Sequence, residues 1–241
     1  MLTPPIVIAR KELRDALRDS RSLVSSLFYS LMGPVTMLAV AAAVPKGSPA
    51  LAAMASVFVM VSAFSGGMSV AIDTVAGERE RCSLLPLLLN PVLRADVVLG
   101  KWLAVCAFSS AGLAINVAAF ALVLPGAGML PQVPLLLPLC LLAAAVEVLI
   151  STWCRTVKEA HTYLSFLVFL PMMAGMLGVF FRQGVEAWGW LIPVLGQQFE
   201  LSGRLTLLQS GALFLMTTIA ASLALWAAGN RLEQDDVVYG N

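Results

Sequence analysis

Six long apolar runs, almost free of charged side chains, constrain this chain of 241 residues more than any other feature. A helix needs about 20 apolar residues to cross the hydrocarbon core of a bilayer. Spanning β-strands would instead show polar–apolar alternation in segments of about ten residues, and no such alternation is evident. The sequence therefore predicts an all-α integral membrane protein with six transmembrane helices. These lie at residues 22–44, 49–72, 102–124, 132–153, 162–181 and 206–229.

Composition and net charge exclude an ordinary soluble domain. Hydrophobic residues make up 59% of the chain and charged residues only 12%, both far from globular averages. The net charge is only +1, so the overall balance offers little attraction to a nucleic acid, and no nucleic-acid partner is expected. Membrane lipid is therefore the main solvent of this chain.

The Lys and Arg residues predict the orientation of the helices, because cytoplasmic loops carry an excess of both. Twelve of the 15 lie in the N-terminal segment, in the connections at 73–101 and 154–161, and in the C-terminal tail. The other three are Lys46, Arg182 and Arg204. This bias predicts a multi-pass membrane protein with both termini in the cytoplasm.

The first 21 residues are predicted to form an interfacial helix. Thr3 stands where a helix can be capped, and Pro4 fits a first turn. Apolar side chains would meet the inner leaflet, whereas cations on the other face would meet anionic headgroups. A solvated positive flank is the alternative. The apolar face contains Ile6, Ala9, Leu13, Ala16 and Leu17, and the polar face contains Arg10, Lys11, Arg14, Asp15 and Arg18.

A charged, leucine-rich segment at 73–101 interrupts the apolar runs on the cytoplasmic side. An amphipathic piece held against the membrane suits docking of a partner protein better than it suits chemistry. Pro86 removes a helical hydrogen bond, so the segment is expected to divide into two short helical pieces. The residues expected to contact the partner are Glu78, Arg79, Glu80, Arg81, Leu84, Leu87 and Leu88.

The connection at 183–205 is expected on the outer side. Its apolar centre at 187–195 is too short to cross the membrane. Trp188 and Trp190 are natural interface anchors, and Pro193 supplies a break. These features predict a re-entrant or surface-lying helical hairpin, with a plain external loop as the alternative.

Glu147 is the only charged side chain within a predicted span, and an intramembrane carboxylate is a functional hypothesis by default. It could belong to the translocation route or its gate. It could equally snorkel toward Arg155 or Lys158 at the cytoplasmic end of its helix. Asn116, in the third span, is the other candidate for the route, although a hydrogen bond between helices accounts for it better.

No catalytic or metal site is predicted. The cysteines at positions 82, 106, 140 and 154 have no CxxC spacing, and the single histidine, His161, has no titrating partner placed with it. An intramembrane hydrolase would need a Ser–His pair, a carboxylate pair or a metal site. Such an enzyme and a non-transporting membrane scaffold are the alternative functions.

The chain also lacks an ATPase motif. A phosphate-binding loop requires GxxxxGK followed by Ser or Thr. Residues 95–102 contain Gly100 and Lys101 but lack the first Gly and the hydroxyl. We therefore expect Lys101 to begin a span and to snorkel toward the headgroups, and we expect energy to come from a separate subunit.

The motifs of the cytoplasmic segments resemble those of permease subunits of ABC-2 class ATP-binding cassette (ABC) transporters, close to the sodium-export type among type V exporters. A second match runs from Arg155 to Ala160, and Pro171 follows in the fifth span. Cys82 stands where the family often has Gly. The residues that match the first motif are Glu78, Arg79, Glu80, Ser83, Leu84, Leu87, Leu88, Pro91, Arg94, Gly100 and Lys101.

This resemblance implies a single permease domain over residues 1–241 of an exporter in the bacterial cytoplasmic membrane. It would pair with a second copy or a paralogue and with two cytoplasmic ATPase subunits. Those subunits would hold ATP and Mg, so no cofactor is expected in this chain. Sodium-export permeases often carry a large outer insertion where this chain has only residues 45–48, which disfavours sodium as the substrate. A second cytoplasmic contact is expected at Arg155, Lys158 and Glu159.

Overall fold

The computed structural model describes residues 3–43, 49–84, 86, 91–123, 136–180 and 188–234. Within these ranges the fold is entirely helical, which confirms the predicted all-α class. The main helices are α1 (Pro4–Arg18), α2 (Ser20–Ala43), α3 (Pro49–Ser65), α4 (Met68–Ala71), α5 (Glu78–Glu80), α6 (Arg94–Val123), α7 (Leu137–Trp153), α8 (Val157–Phe180), α9 (Leu195–Leu201) and α10 (Leu207–Leu232). A π-helical turn, Ile72–Gly77, joins α4 to α5, and a 3-10 turn, Gly189–Leu191, precedes α9.

Five stretches of the described chain are long and apolar enough to cross a membrane, fewer than the six predicted. Helix α7 is apolar but only 17 residues long, and the start of its predicted span at 132–135 lies outside the described residues. The second crossing continues through the π-helical turn to Glu80, and α6 begins at Arg94 instead of near 102. The second crossing and α6 therefore include residues from the two ends of segment 73–101, which was predicted to be the cytoplasmic connection.

The centre of the fold is formed by the α3–α5 crossing and α7. About 83% of the most apolar window of that crossing is buried inside the protein, against 28% for α2 and 22% for α10. Helix α7 packs against α6 and α10, and α6 also contacts α1, α2 and α3. Helices that are apolar all round belong in such a centre, whereas α2, α8 and α10 leave wide apolar faces outside.

The N-terminal helix α1 packs along α6, so it is attached to the rest of the fold and not only to the membrane surface. A Cβ atom added at Gly100 of α6 would stand 2.6 Å from Ile8 Cβ and 2.8 Å from the Pro5 carbonyl oxygen. Only glycine permits this approach of the two backbones. The contact directs Glu12 into the protein, while Leu17 remains 59% exposed.

The connection that was predicted on the outer side is helical and packed in its described part. After the 3-10 turn, Val194 has a φ of 76°, which is strained for a β-branched residue, and α9 follows directly. Gln197 donates to Thr217 Oγ1 at 2.9 Å, and Gln198 donates to Ser56 Oγ at 2.8 Å. These bonds tie α9 to α10 and α3, while residues 183–187 of the predicted hairpin lie outside the described residues.

Helix α5 ends in a Schellman motif that requires a left-handed residue at Cys82. The Cys82 amide donates to the Arg79 carbonyl at 3.0 Å, and the Ser83 amide donates to the Glu78 carbonyl at 2.8 Å. Cys82 has a φ of 55°, the conformation that favours glycine at this position. A backbone cause therefore exists for glycine at this position.

We predict that Cys82→Gly stabilises this turn by about 1 kcal/mol, because glycine avoids the Cβ clash of the left-handed conformation. Amide hydrogen exchange at residues 82 and 83 would measure the change. Cys82→Ala is the matched control, since it removes the thiol but keeps the Cβ. Equal protection in the two variants would contradict the assigned cause.

Candidate functional site

Lys101 is buried in the protein, so the expectation that it snorkels is wrong. It lies seven residues after the start of α6, or about 10 Å along the helix axis. Its side chain is 0% exposed. The ammonium lies 2.6 Å from Glu78 Oε2 and 3.1 Å from Glu12 Oε1, and it also donates to the Thr74 carbonyl. Three acceptors inside the fold replace the headgroups and water that a snorkelling lysine seeks.

A second lysine completes this arrangement. Lys11 Nζ lies 2.9 Å from Glu78 Oε1 and 3.3 Å from Glu12 Oε1. We call Lys11, Glu12, Glu78 and Lys101 the charge cluster. Burial opposes the charged form of Lys11, but hydrogen bonding to Glu78 and the charges of both carboxylates outweigh it and raise the pKa of Lys11. Two cations and two anions thus balance at the junction of α1, α5 and α6.

The π-helical turn supplies backbone groups to its neighbours. A wider i→i+5 turn disturbs the regular helical pairing, and such turns are frequent at functional sites. Here the Thr74 carbonyl accepts from Lys101, and the Ala76 amide donates to Ser151 Oγ of α7 at 3.1 Å. The turn therefore joins α6 and α7 to the charged segment that begins at Glu78.

The other charges of the cytoplasmic motif also contact the chain itself. Arg79 donates to the Cys154 carbonyl at 3.4 Å, and Glu80 accepts the Val157 amide at 2.7 Å. Arg81 forms a 2.9 Å ion pair with Asp73. The Glu80 carboxylate thus accepts a hydrogen bond from an amide in the first turn of α8 that has no partner within the helix, as an N-cap side chain does. Glu78, Arg79 and Glu80 are thereby attached to α1, α6, the end of α7 and α8, and Arg81 is attached to the π-helical turn.

The two predicted cytoplasmic contacts meet at this junction. Glu159 accepts the Arg155 amide at 2.8 Å, next to the Val157 amide that binds Glu80. Lys158 is exposed. Leu84 is buried at 3% exposure, while the predicted contact residues Leu87 and Leu88 lie outside the described residues.

Glu147 lies apart from this junction, in the interior of α7. It is only 1% exposed, and neither carboxylate oxygen accepts a hydrogen bond from any described residue. It forms no ion pair with Arg155 or Lys158 in the described part of the chain. The structure therefore does not place this carboxylate in the snorkelling arrangement.

Asn116 connects two membrane helices. Its Nδ2 donates to the Ser30 carbonyl of α2 at 2.7 Å, and its Oδ1 has no hydrogen-bond donor among the described residues. The bond has the geometry of an interhelical link. Across the described ranges, no three His, Cys, Asp or Glu side chains lie close enough to hold a metal ion.

Sequence reasoning missed Glu12 and Lys101 as partners. A signal for each was present, since Glu12 is an acid on a basic amphipathic helix and Lys101 lies beyond a possible helix start at Arg94. Their separation of 89 residues gives no local spacing that would connect them. Only the packing of α1 along α6 brings them together.

Comparison with known proteins gives a consistent assignment. Residues 6–209 match the family model described as ABC-2 family transporter protein. The chain is 35% identical over 182 residues to the ABC transporter permease protein NatB of Bacillus subtilis (strain 168), which covers 68% of this chain and 47% of that protein. It is 34% identical over 105 residues to the probable ABC transporter permease protein NosY of Pseudomonas aeruginosa, covering 41% and 38% respectively.

These matches span less than half the length of either relative. The family model, in contrast, covers most of this chain, including α1, the cytoplasmic motif and α9. The chain therefore belongs to the ABC-2 family of transporter proteins.

Proposed function

We propose that this chain is the permease subunit of an ATP-driven exporter in a bacterial cytoplasmic membrane. It would pair with a second copy or a paralogue, and two separate ATPase subunits would hold ATP and Mg. Family membership and the permease names of the two relatives support this proposal. The basic bias of the connections supports cytoplasmic termini. Residues 183–205 would form the outer hairpin.

The observation that carries the proposal is the attachment of Glu78–Glu80 to four other helices. Their side chains bind Lys11 of α1, Lys101 of α6, the end of α7 and the first turn of α8. If a partner displaced this short helix, each charged group would either lose its contact or move the helix that it binds. The displacement would therefore reach the other helices. The junction is thus suited to convert ATPase movement into helix rearrangement.

This arrangement separates two tasks within the coupling motif. Glu78 is buried and pairs with Lys101, whereas Glu80 is exposed but accepts the Val157 amide, so both hold the segment to the membrane helices. Arg81 and the turn residues Cys82 and Ser83 are exposed and can reach a partner. Leu87 and Leu88 remain the proposed apolar docking residues, and Lys158 is a further exposed cation at the same face. ATPase docking would therefore use the turn and its leucines, with Glu78 and Glu80 transmitting the movement.

We predict that Glu80→Ala uncouples the complex. The substitution removes the acceptor for the Val157 amide, whereas Glu80→Gln keeps an acceptor oxygen in place. ATPase-driven transport should fall about tenfold in the Ala variant and remain near normal in the Gln variant, since a hydrogen bond to a charged group contributes about 1.5–3 kcal/mol. The measurement is transport and ATP hydrolysis in proteoliposomes containing the chain and its co-purified ATPase.

Two results would contradict this assignment. If Glu80→Ala transported normally, the junction would not transmit movement. If the chain extracted from its own membrane carried no ATPase, the scaffold alternative would replace the transporter proposal.

Lys101→Met should destabilise the protein by about 3–5 kcal/mol, because it leaves Glu12 and Glu78 buried with Lys11 as their remaining cation. Lys158→Met is the control, as it removes an exposed lysine from α8 and should change stability by less than about 0.5 kcal/mol. Unfolding of both purified variants in detergent would compare them. Equal stability would show that the charge cluster does not hold the junction together.

Glu147→Met tests whether the buried carboxyl serves transport. Methionine keeps the volume and removes a polar group that has no described hydrogen-bond partner, so the protein should gain about 1–3 kcal/mol of stability. Transport should nevertheless fall, if the group belongs to the route or its gate. A variant that lost stability and kept normal transport would assign Glu147 a structural role.

A further inference from the structure

A cavity of about 560 Å³ opens among α2, α8 and the α3–α5 crossing. Each element contributes residues from one helical face, such as Ser22, Ser25 and Tyr29 of α2. Helices α2 and α8 both pack on α3 but not extensively on each other. The cavity is therefore a cleft between two membrane helices, with the crossing as its floor.

The lining changes with depth. The charged Arg21 and the polar His161 lie near the helix ends, whereas Tyr29 lies about 12 Å further along α2. The floor at the deep end includes Ser69 and Met68. A polar cleft thus extends from the cytoplasmic ends of the helices to the depth of the upper acyl chains.

Both carboxylates of the lining already have donors. Asp19 accepts the Ser22 hydroxyl at 2.7 Å and the amides of Arg21 and Ser22, which caps α2. Asp73 is paired with Arg81 at 2.9 Å. A cationic ligand would have to displace these bonds, so the acids of the cleft do not favour one.

Three hydrogen-bond donors of the lining have no acceptor among the described residues. The Arg21 guanidinium forms no ion pair, and the Tyr29 hydroxyl forms no hydrogen bond, with any described residue. Ser69 Oγ is fully covered and also has no partner in the described structure. A ligand rich in acceptor oxygens, with negative charge near Arg21, would satisfy all three. A phosphate group has this chemistry.

The surroundings favour a phosphate that carries acyl chains. Phe28, next to Tyr29 on α2, is 62% exposed, and Phe166, five residues beyond His161 on α8, is 66% exposed. These side chains give the two helices that line the cleft an exposed apolar surface at the level where lipid tails begin. A water-soluble phosphate would make no use of it.

We propose that this cleft binds the phosphate-bearing headgroup of an inner-leaflet phospholipid, with Arg21 and Tyr29 as its principal donors. The site lies within one chain and does not depend on the transport proposal. The lipid would fill the gap between α2 and α8 and fix the position of α2 beside the coupling junction.

The test uses the purified, delipidated full chain in a neutral detergent, titrated with phosphatidylglycerol and followed by native mass spectrometry. Arg21→Gln should weaken binding about tenfold, because it removes charge-assisted hydrogen bonds to phosphate. Tyr29→Phe should weaken it about fivefold through loss of one hydroxyl. Arg14→Gln is the matched control, since Arg14 is an exposed cation of α1 outside the cleft, and it should bind as the unaltered chain does.

Competitors identify the ligand source. Inorganic phosphate and glycerol 3-phosphate at millimolar concentration should not displace the lipid, and diacylglycerol should bind at least about tenfold more weakly because it lacks the phosphate. Equal weakening in Arg21→Gln and Arg14→Gln would mean general attraction to a basic surface and would overturn the proposal. Displacement by inorganic phosphate would overturn it in favour of a water-soluble ligand. Tyr29→Phe keeps the test decisive if Arg21→Gln fails to fold.

Discussion

The architecture depends on satisfying one ammonium group, that of Lys101, inside a helix bundle. A buried unpaired cation costs several kcal/mol, so its acceptors must be held in place by the fold. Glu12 comes from α1, Glu78 from α5 and the Thr74 carbonyl from the π-helical turn. Each of these elements therefore has its position relative to α6 fixed by the same atom.

The pairing of Lys101 determines which arrangements of the junction are stable. A buried ion pair adds little net stability over a well-packed apolar contact, but removing one partner is expensive. A buried ion pair therefore fixes the relative position of the helices that carry it, because any other arrangement would leave a buried charge unpaired. Lys11 shares both carboxylates of the charge cluster from a half-exposed position, so the cluster has one cation fixed inside and one at the surface. Glu78 is paired with the inner and the surface cation at the same time, one through each of its oxygens.

Much of the fold could be predicted from local patterns, because apolar length and basic flanks are properties of single segments. The all-helical class and the amphipathic helix at the N-terminus belong to this group. The ends of the helices could not be predicted as well. Arg94 and Glu78 use their polar groups to bind other helices. A prediction from hydropathy assigns the same polar residues to a connection between helices. The π-helical turn likewise has no local sequence signal and exists through its partners Lys101 and Ser151.

The two buried carboxylates Glu78 and Glu147 show what burial alone cannot decide. Both are nearly inaccessible, at 6% and 1% exposure. Glu78 has two lysines within hydrogen-bond distance, so charged partners balance its burial. Glu147 has no described donor, and a fold gains nothing from such a group that a methionine would not give better. Stability therefore does not explain an unsatisfied carboxyl inside α7, and this is why Glu147 stays a candidate for the proposed translocation route.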